Sequence, residues 1–330
     1  MDRLIELNTT ILAGGTAVGK KEHDGPLGSL FDIHDEQDKY GESTWEKAES
    51  SMQRAAMNIA ILKSGLTENQ IEAIFAGDLI NQCTSSAYGM LGYNTPYYGL
   101  YGACSTAAEG IMLSSIMTTH GIFNFSAAVT SSHFCTAERQ YRTPVEYGGQ
   151  RPPTAQWTVT GAGAFITGPG GKVRVTGALP GIVREKGIKD ANNMGAAMAP
   201  AAADTILRYI NLRGGNIDDV ELIVTGDLGF EGLDILGELL THAGHSEVKS
   251  RLTDCGVLIF DRERQDVHCG GSGCGCSAVT LAAYFLPRLA QGELKKMLFI
   301  GTGAMMSPLT LQQGEGIPAV AHLVELQCGN

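Results

Sequence analysis

Two stretches of this chain are near copies of each other. Gly65–Leu79 reads GLTENQIEAIFAGDL and Gly214–Leu228 reads GGNIDDVELIVTGDL, and the two align without a gap. Each has a helix-ending glycine, polar residues, a short apolar run rich in Ile and Val, and then Gly-Asp-Leu. The pattern reads as helix, turn, buried strand and loop. A chain written twice folds as two similar halves. We place them at residues 1–180 and 181–330.

The flanking sequence extends the duplication. Before the first copy, Ser43-Thr44-Trp45-Glu46 fits a capping box. Trp45, Ala48, Met52, Ala55, Ile59 and Leu62 then fall on one helical face. Before the second copy, Pro200 suits a first helical turn, and Ile206, Leu207 and Ile210 carry an apolar face to Gly214. Downstream, Cys104-Ser105 opens a small-residue helix ending near His120-Gly121, followed by a strand at Ser126–Thr130. Cys276-Ser277 likewise opens an apolar helix over Ala278–Leu289, followed by a strand at Met297–Ile300. The alternation predicts an α/β fold with mostly parallel strands. Helices that begin in Gly, Ala, Cys and Ser tolerate close backbone approach, which suits positions between sheets.

The chain has 330 residues, 43% of them hydrophobic and 18% charged, with a net charge of −11. An acidic surface repels nucleic-acid backbones and anionic headgroups, so a nucleic-acid partner is not expected. Met1–Ala13 carries Asp2, Arg3 and Glu6 and does not read as a secretory leader. No run approaches the roughly 18 apolar residues of a membrane span. A soluble or peripherally docked protein is expected. Eight cysteines without a leader point to a reducing compartment. Cys269, Cys274 and Cys276 beside His268 do not have zinc spacing, so no metal site is assigned.

A duplicated α/β chain with a Gly-Ala-Cys-Ser-Thr elbow at residues 102–106 resembles the thiolase superfamily. Three further stretches resemble the same family: Thr160–Ala164 (TGAGA), Gly270–Gly275 (GGSGCG) and Gly301–Ala304 (GTGA). The resemblance implies a five-layered α-β-α-β-α fold and a homodimer. A wider set, including AGDLINQ at 76–82, SSHFCTAERQYR at 131–142, EYGGQ at 146–150 and MAPAAADTI at 198–206, is similar to a sporulation-associated branch of that superfamily. This implies a protein of the spore inner membrane region that binds dipicolinic acid (pyridine-2,6-dicarboxylate). It would work beside membrane-embedded products of the same operon, in uptake during sporulation and release at germination. Calcium is left open as a companion of that ligand, and no resident cofactor is expected.

Cys104 stands at a helix start, where free N–H groups favour thiolate. Claisen-type chemistry also needs a base and oxyanion donors. In catalytic relatives these are largely His or Asn of second-half loops. Here Thr225–Phe230 and Gly270–Cys276 contain neither, and His268 is the nearest substitute. The expectation is therefore binding without turnover. Dipicolinate calls for Arg or His donors, hydroxyls and N–H groups. His133, Arg139, Arg142 and Arg151 lie close together in sequence, with Ser131 and Ser132 before them. Glu138 and Glu146 are the acids that would pair these arginines if the cluster merely holds its loop. Asp78 and Asp227 occupy equivalent repeat positions at strand ends, and either could serve a ligand or stabilise an Asx-type turn. The ligand set is taken as Cys104, His133, Arg139, Arg142, Ser132, Asp227 and Ser272. Two alternatives stay open: an active ketoacyl-synthase-like acyl transferase using Cys104, and a structural scaffold for a membrane channel complex.

Overall fold

The computed structural model describes residues 3–142 and 147–329. Ten strands form the sheet: β1 (Ile5–Gly19), β2 (Ala73–Gly77), β3 (Tyr97–Leu100), β4 (Ser126–Ser132), β5 (Gly161–Gly168), β6 (Val173–Leu179), β7 (Leu222–Thr225), β8 (Leu252–Asp254), β9 (Lys296–Ala304) and β10 (Ala319–Cys328). Their order is β8-β7-β9-β10-β6-β1-β5-β4-β2-β3, and Ile33–Asp35 adds a short strand beside β1. The order reads the same from either end once repeat equivalents are matched, β2 with β7 and β4 with β9. β1 joins the two sets, pairing with β5 through Thr10–Val18 and with β6 through Ile5–Ile11.

The expectation of mostly parallel strands needs correcting. Only the outer three strands of each set are parallel. The inner ladders from β4 to β9 are all antiparallel. The reason is that β5 and β6 follow one another closely yet pair with opposite sides of β1, which brings both in against it.

The principal helices are α1 (Trp45–Ser64), α2 (Thr106–Thr119), α3 (Phe134–Tyr141), α4 (Met194–Leu212), α5 (Gly229–His242) and α6 (Cys274–Thr280). α1 covers the face of β1, β4 and β5, and α4 covers β9 and β10. α2 touches strands of both sets, and α6 touches β1, β4, β5 and β9, so these two helices lie between the halves of the sheet. The result is the five-layered α-β-α-β-α stack. The middle layer packs Ile111, Phe165, Val224, Phe285 and Phe299 into one apolar core. Complete burial of such side chains contributes about 1.5–3 kcal/mol each.

Local details depart from the sequence reading in three places. Thr44, not Ser43, caps α1, accepting a bond from Lys47 N at 3.3 Å. The buried stripe of α1 runs through Ala48, Met52, Ala56 and Ala60, while Leu62 is 79% exposed. Small residues face β1 because the backbone of α1 comes close: a Cβ on Gly15 would lie 2.3 Å from the Ala56 carbonyl oxygen. Pro200 sits inside α4, which begins a turn and a half earlier behind an Asn193 cap. Gly65 and Gly214 do end their helices in the left-handed region, at φ 73° and 64°, where glycine has no steric penalty.

Candidate functional site

β3 ends at Leu100, and the chain turns through Tyr101-Gly102-Ala103 into α2. Ala103 is held at φ 49°, left-handed for a residue with a Cβ, which costs on the order of 1 kcal/mol or more. Three hydrogen bonds hold the turn. Ser105 N donates to Gly102 O at 3.0 Å, Gly102 N donates to Thr106 Oγ1 at 3.0 Å, and Thr106 Oγ1 donates to Ala103 O at 2.7 Å. The turn can lie against β9 because β9 carries glycines there. A Cβ on Gly303 would stand 2.3 Å from Gly102 O, and one on Gly301 2.7 Å from the Ala108 Cβ. The elbow therefore presents Cys104 to the second half of the chain.

What meets Cys104 there is Asp227, whose carboxylate lies close enough to act on the charge of the thiol. Asp227 Oδ1 accepts from Thr302 Oγ1 at 2.8 Å, and Oδ2 accepts from Gly273 N at 2.8 Å and Ser272 Oγ at 3.4 Å. Asp227 is fully buried, and that burial raises its pKa, against the pull of these donors. Burial pushes the Cys104 thiol well above its ordinary range, and the Asp227 carboxylate pushes it further. The expectation that the helix start favours thiolate is thus overturned: desolvation and an adjacent carboxylate outweigh the N–H groups.

A cavity of about 40 Å³ lies over Cys104, lined by Leu79, Tyr101, Tyr141, Arg142, Thr158 and Ser272 among others. Ser272 and Thr158 come from a two-strand ladder pairing Gly271–Ser272 with Trp157–Thr158. Arg142 supplies the positive charge. Its Nη1 bonds Glu138 Oε1 at 2.5 Å, and its buried Nε has no partner among the described residues. Among the described residues, no histidine or asparagine lines the cavity. Beyond Tyr141 and Arg142 lies a surface groove lined by Phe134, Trp157 and Arg151.

Of the seven candidate residues, Cys104, Arg142, Ser272 and Asp227 converge here. The other three do not. His133 is 1% exposed and caps α3. Its Nδ1 accepts from Cys135 N at 3.1 Å, so the ring proton is on Nε2 and donates to Asp38 O at 2.8 Å. Arg139 pairs with Glu46 and lies over the Trp45 ring, on the outside of α1. Ser132 donates to Val159 O at 2.7 Å and accepts from Gly275 N at 3.2 Å, which ties β4 to the second-half loop. His268 bonds Pro152 O and Asp266 on the surface, away from the cavity. Arg151 pairs with Asp266 at 3.0 Å, and Glu146 lies outside the described residues. Asp78 makes the Asx-type turn, its Oδ1 accepting from Ile80 N at 2.9 Å and its Oδ2 from Ser86. Sequence reasoning missed Tyr101 and Tyr141, although Tyr101 directly precedes the elbow motif.

An elbow cysteine between two duplicated α/β halves defines a thiolase-like protein, and solved structures of that class superpose on the whole chain. The 3-oxoacyl-[acyl-carrier-protein] synthase III of Aquifex aeolicus aligns with a TM-score of 0.58, at 12% identity, over 97% of this chain and 99% of that one. A variant of Xanthomonas campestris OleA aligns at 0.60, with 12% identity, over 98% of this chain and 100% of that one. At such identity the likeness establishes the fold alone.

The sequence profile of the stage V sporulation protein AD (SpoVAD) family matches residues 3–327, and the chain belongs to this family. Stage V sporulation protein AD of Bacillus subtilis (strain 168) is 43% identical over 311 residues, covering 94% of this chain and 91% of that protein.

Proposed function

We propose that this protein is a non-catalytic thiolase-like binder of dipicolinate, acting in sporulation and germination, with the ligand held in the cavity over Cys104. The observation that carries the reading is Asp227 at the Cys104 thiol. A condensing enzyme needs a thiolate and a nearby base, and this site holds its cysteine protonated against a carboxylate already engaged by Thr302, Gly273 and Ser272. Arg142 lines the cavity and brings a positive charge that a carboxylate ligand could share with Glu138. Calcium stays open as a companion of the ligand.

The same reading has the chain act as a homodimer beside SpoVA-type proteins of the spore inner membrane. Among the described residues β3 is paired on one side only, and Tyr97 and Tyr98 on it are 39% and 43% exposed, which supports pairing of two copies through this edge. No helix among the described residues is long and apolar enough to cross a membrane, so contact with the membrane would run through those partners.

The test is calorimetric titration with pyridine-2,6-dicarboxylate, with and without calcium, against benzoate. Saturable binding that benzoate does not reproduce supports the proposal. No binding in either condition removes it and returns weight to acyl transfer or a scaffold.

A further inference from the structure

The cavity over Cys104 is smaller than the ligand proposed for it. At about 40 Å³ it has room for about three water molecules, well short of a pyridine ring bearing two carboxylates. Part of its wall is a pair of tyrosines. Tyr101 comes from the elbow turn and Tyr141 from the end of α3, and their hydroxyl oxygens are 2.5 Å apart. Tyr141 gives its own hydrogen to the Leu79 carbonyl, so Tyr101 is the donor in the Tyr101–Tyr141 bond. Tyr141 is thus tied twice and Tyr101 once. Tyr101 is also 39% exposed, so among the described residues of one chain nothing covers the outer side of its ring.

We propose that Tyr101 is the gate of the cavity, held shut by its single hydrogen bond to Tyr141. This rests on reading the cavity as the ligand site. The ring that leaves is a phenol, so the space it vacates matches one six-membered aromatic ring, with Arg142 on the same wall for a carboxylate. The gate therefore admits one flat aromatic ring at a time, and a ligand binds only the fraction of molecules in which Tyr101 is out. Apparent affinity is lowered by that fraction.

The test is Tyr101→Phe, which removes the donor and leaves the Tyr141–Leu79 bond in place. Cys104 alkylation by iodoacetamide at alkaline pH, followed by peptide mass, reads the gate without any ligand. Loss of one neutral hydrogen bond should speed it about three- to tenfold. Cys276, which is fully buried, should keep its rate. The association rate of pyridine-2,6-dicarboxylate should rise by the same factor, with dissociation unchanged. An unchanged Cys104 rate overturns the gate, and so does equal acceleration of Cys104 and Cys276, which would mean general loosening. Faster Cys104 labelling with no dicarboxylate binding in either protein keeps the gate and removes the ligand reading.

Discussion

Cys104 and Asp227 face each other from opposite halves of the chain, a thiol from the first repeat against a carboxylate from the second. The carboxylate keeps the proton on sulfur. Asp227→Asn should therefore lower the thiol pKa and raise Cys104 alkylation at neutral pH, by about tenfold for every pH unit by which the thiol becomes more acidic. The same change puts an amide against the donors Thr302 and Gly273, so stability should fall by about 1–3 kcal/mol. Iodoacetamide kinetics and urea unfolding read the two effects separately.

Wild-type protein mixed with acetyl-CoA should show no added acetyl mass on Cys104. Intact-protein mass spectrometry decides this. A stable adduct would restore the acyl-transferase reading.

Arg142→Ala should weaken dicarboxylate binding by about 1–3 kcal/mol, as expected for a charged hydrogen bond. Arg139→Ala should leave affinity unchanged, because Arg139 is engaged by Glu46 and Trp45 outside the cavity. His133→Ala should cost about 1–2 kcal/mol of stability through the lost α3 cap, with little change in affinity. Calorimetry on the three variants separates them, and equal losses for Arg139 and Arg142 would place the site elsewhere.

Glu22 is fully buried, with Oε1 accepting from Thr160 N at 2.9 Å and Oε2 without a partner among the described residues. Burial pushes its pKa up to about 8 from an ordinary 4.5. The folded state thus holds a proton that the unfolded state releases. Stability is full below the unfolded value and is lost as pH rises from about 4.5 through about 8. Glu22→Gln should remove this dependence, leaving the variant more stable than wild type at pH 8 by about 2 kcal/mol or more, with the gap closing toward pH 4. Urea midpoints across that range give the answer. Parallel curves would mean that Glu22 does not titrate there.

The duplication and the elbow were legible because both are local in sequence. Glycines at helix ends, apolar strands and a Gly-Ala-Cys-Ser-Thr run each carry their geometry with them. The cation cluster was not legible in the same way. His133, Arg139 and Arg142 lie within ten residues but leave α3 and its cap in different directions, one to the Asp38 carbonyl, one to α1 and one to the cavity. Which way each points depends on what packs against α3, and that comes from Glu46 and Asp38 far back in the chain. Asp78 and Asp227 hold equivalent places, yet one closes a local turn and the other reaches Cys104, a difference set by the residues around them.

The two repeats have also parted company in how they fill the space beneath their strand ends. Below Asp227 there is a cavity. On the side of Asp78, Gln53 bonds Ser86 and Ser131 at 2.8 and 2.7 Å, Ser131 bonds Glu49 at 2.8 Å, and Cys274 bonds Ser131 O at 3.0 Å. Among the described residues, the Asp78 end is thus closed by a polar network while the Asp227 end borders the cavity, and if the cavity over Cys104 is the ligand site its binding stoichiometry should be a single ligand per polypeptide.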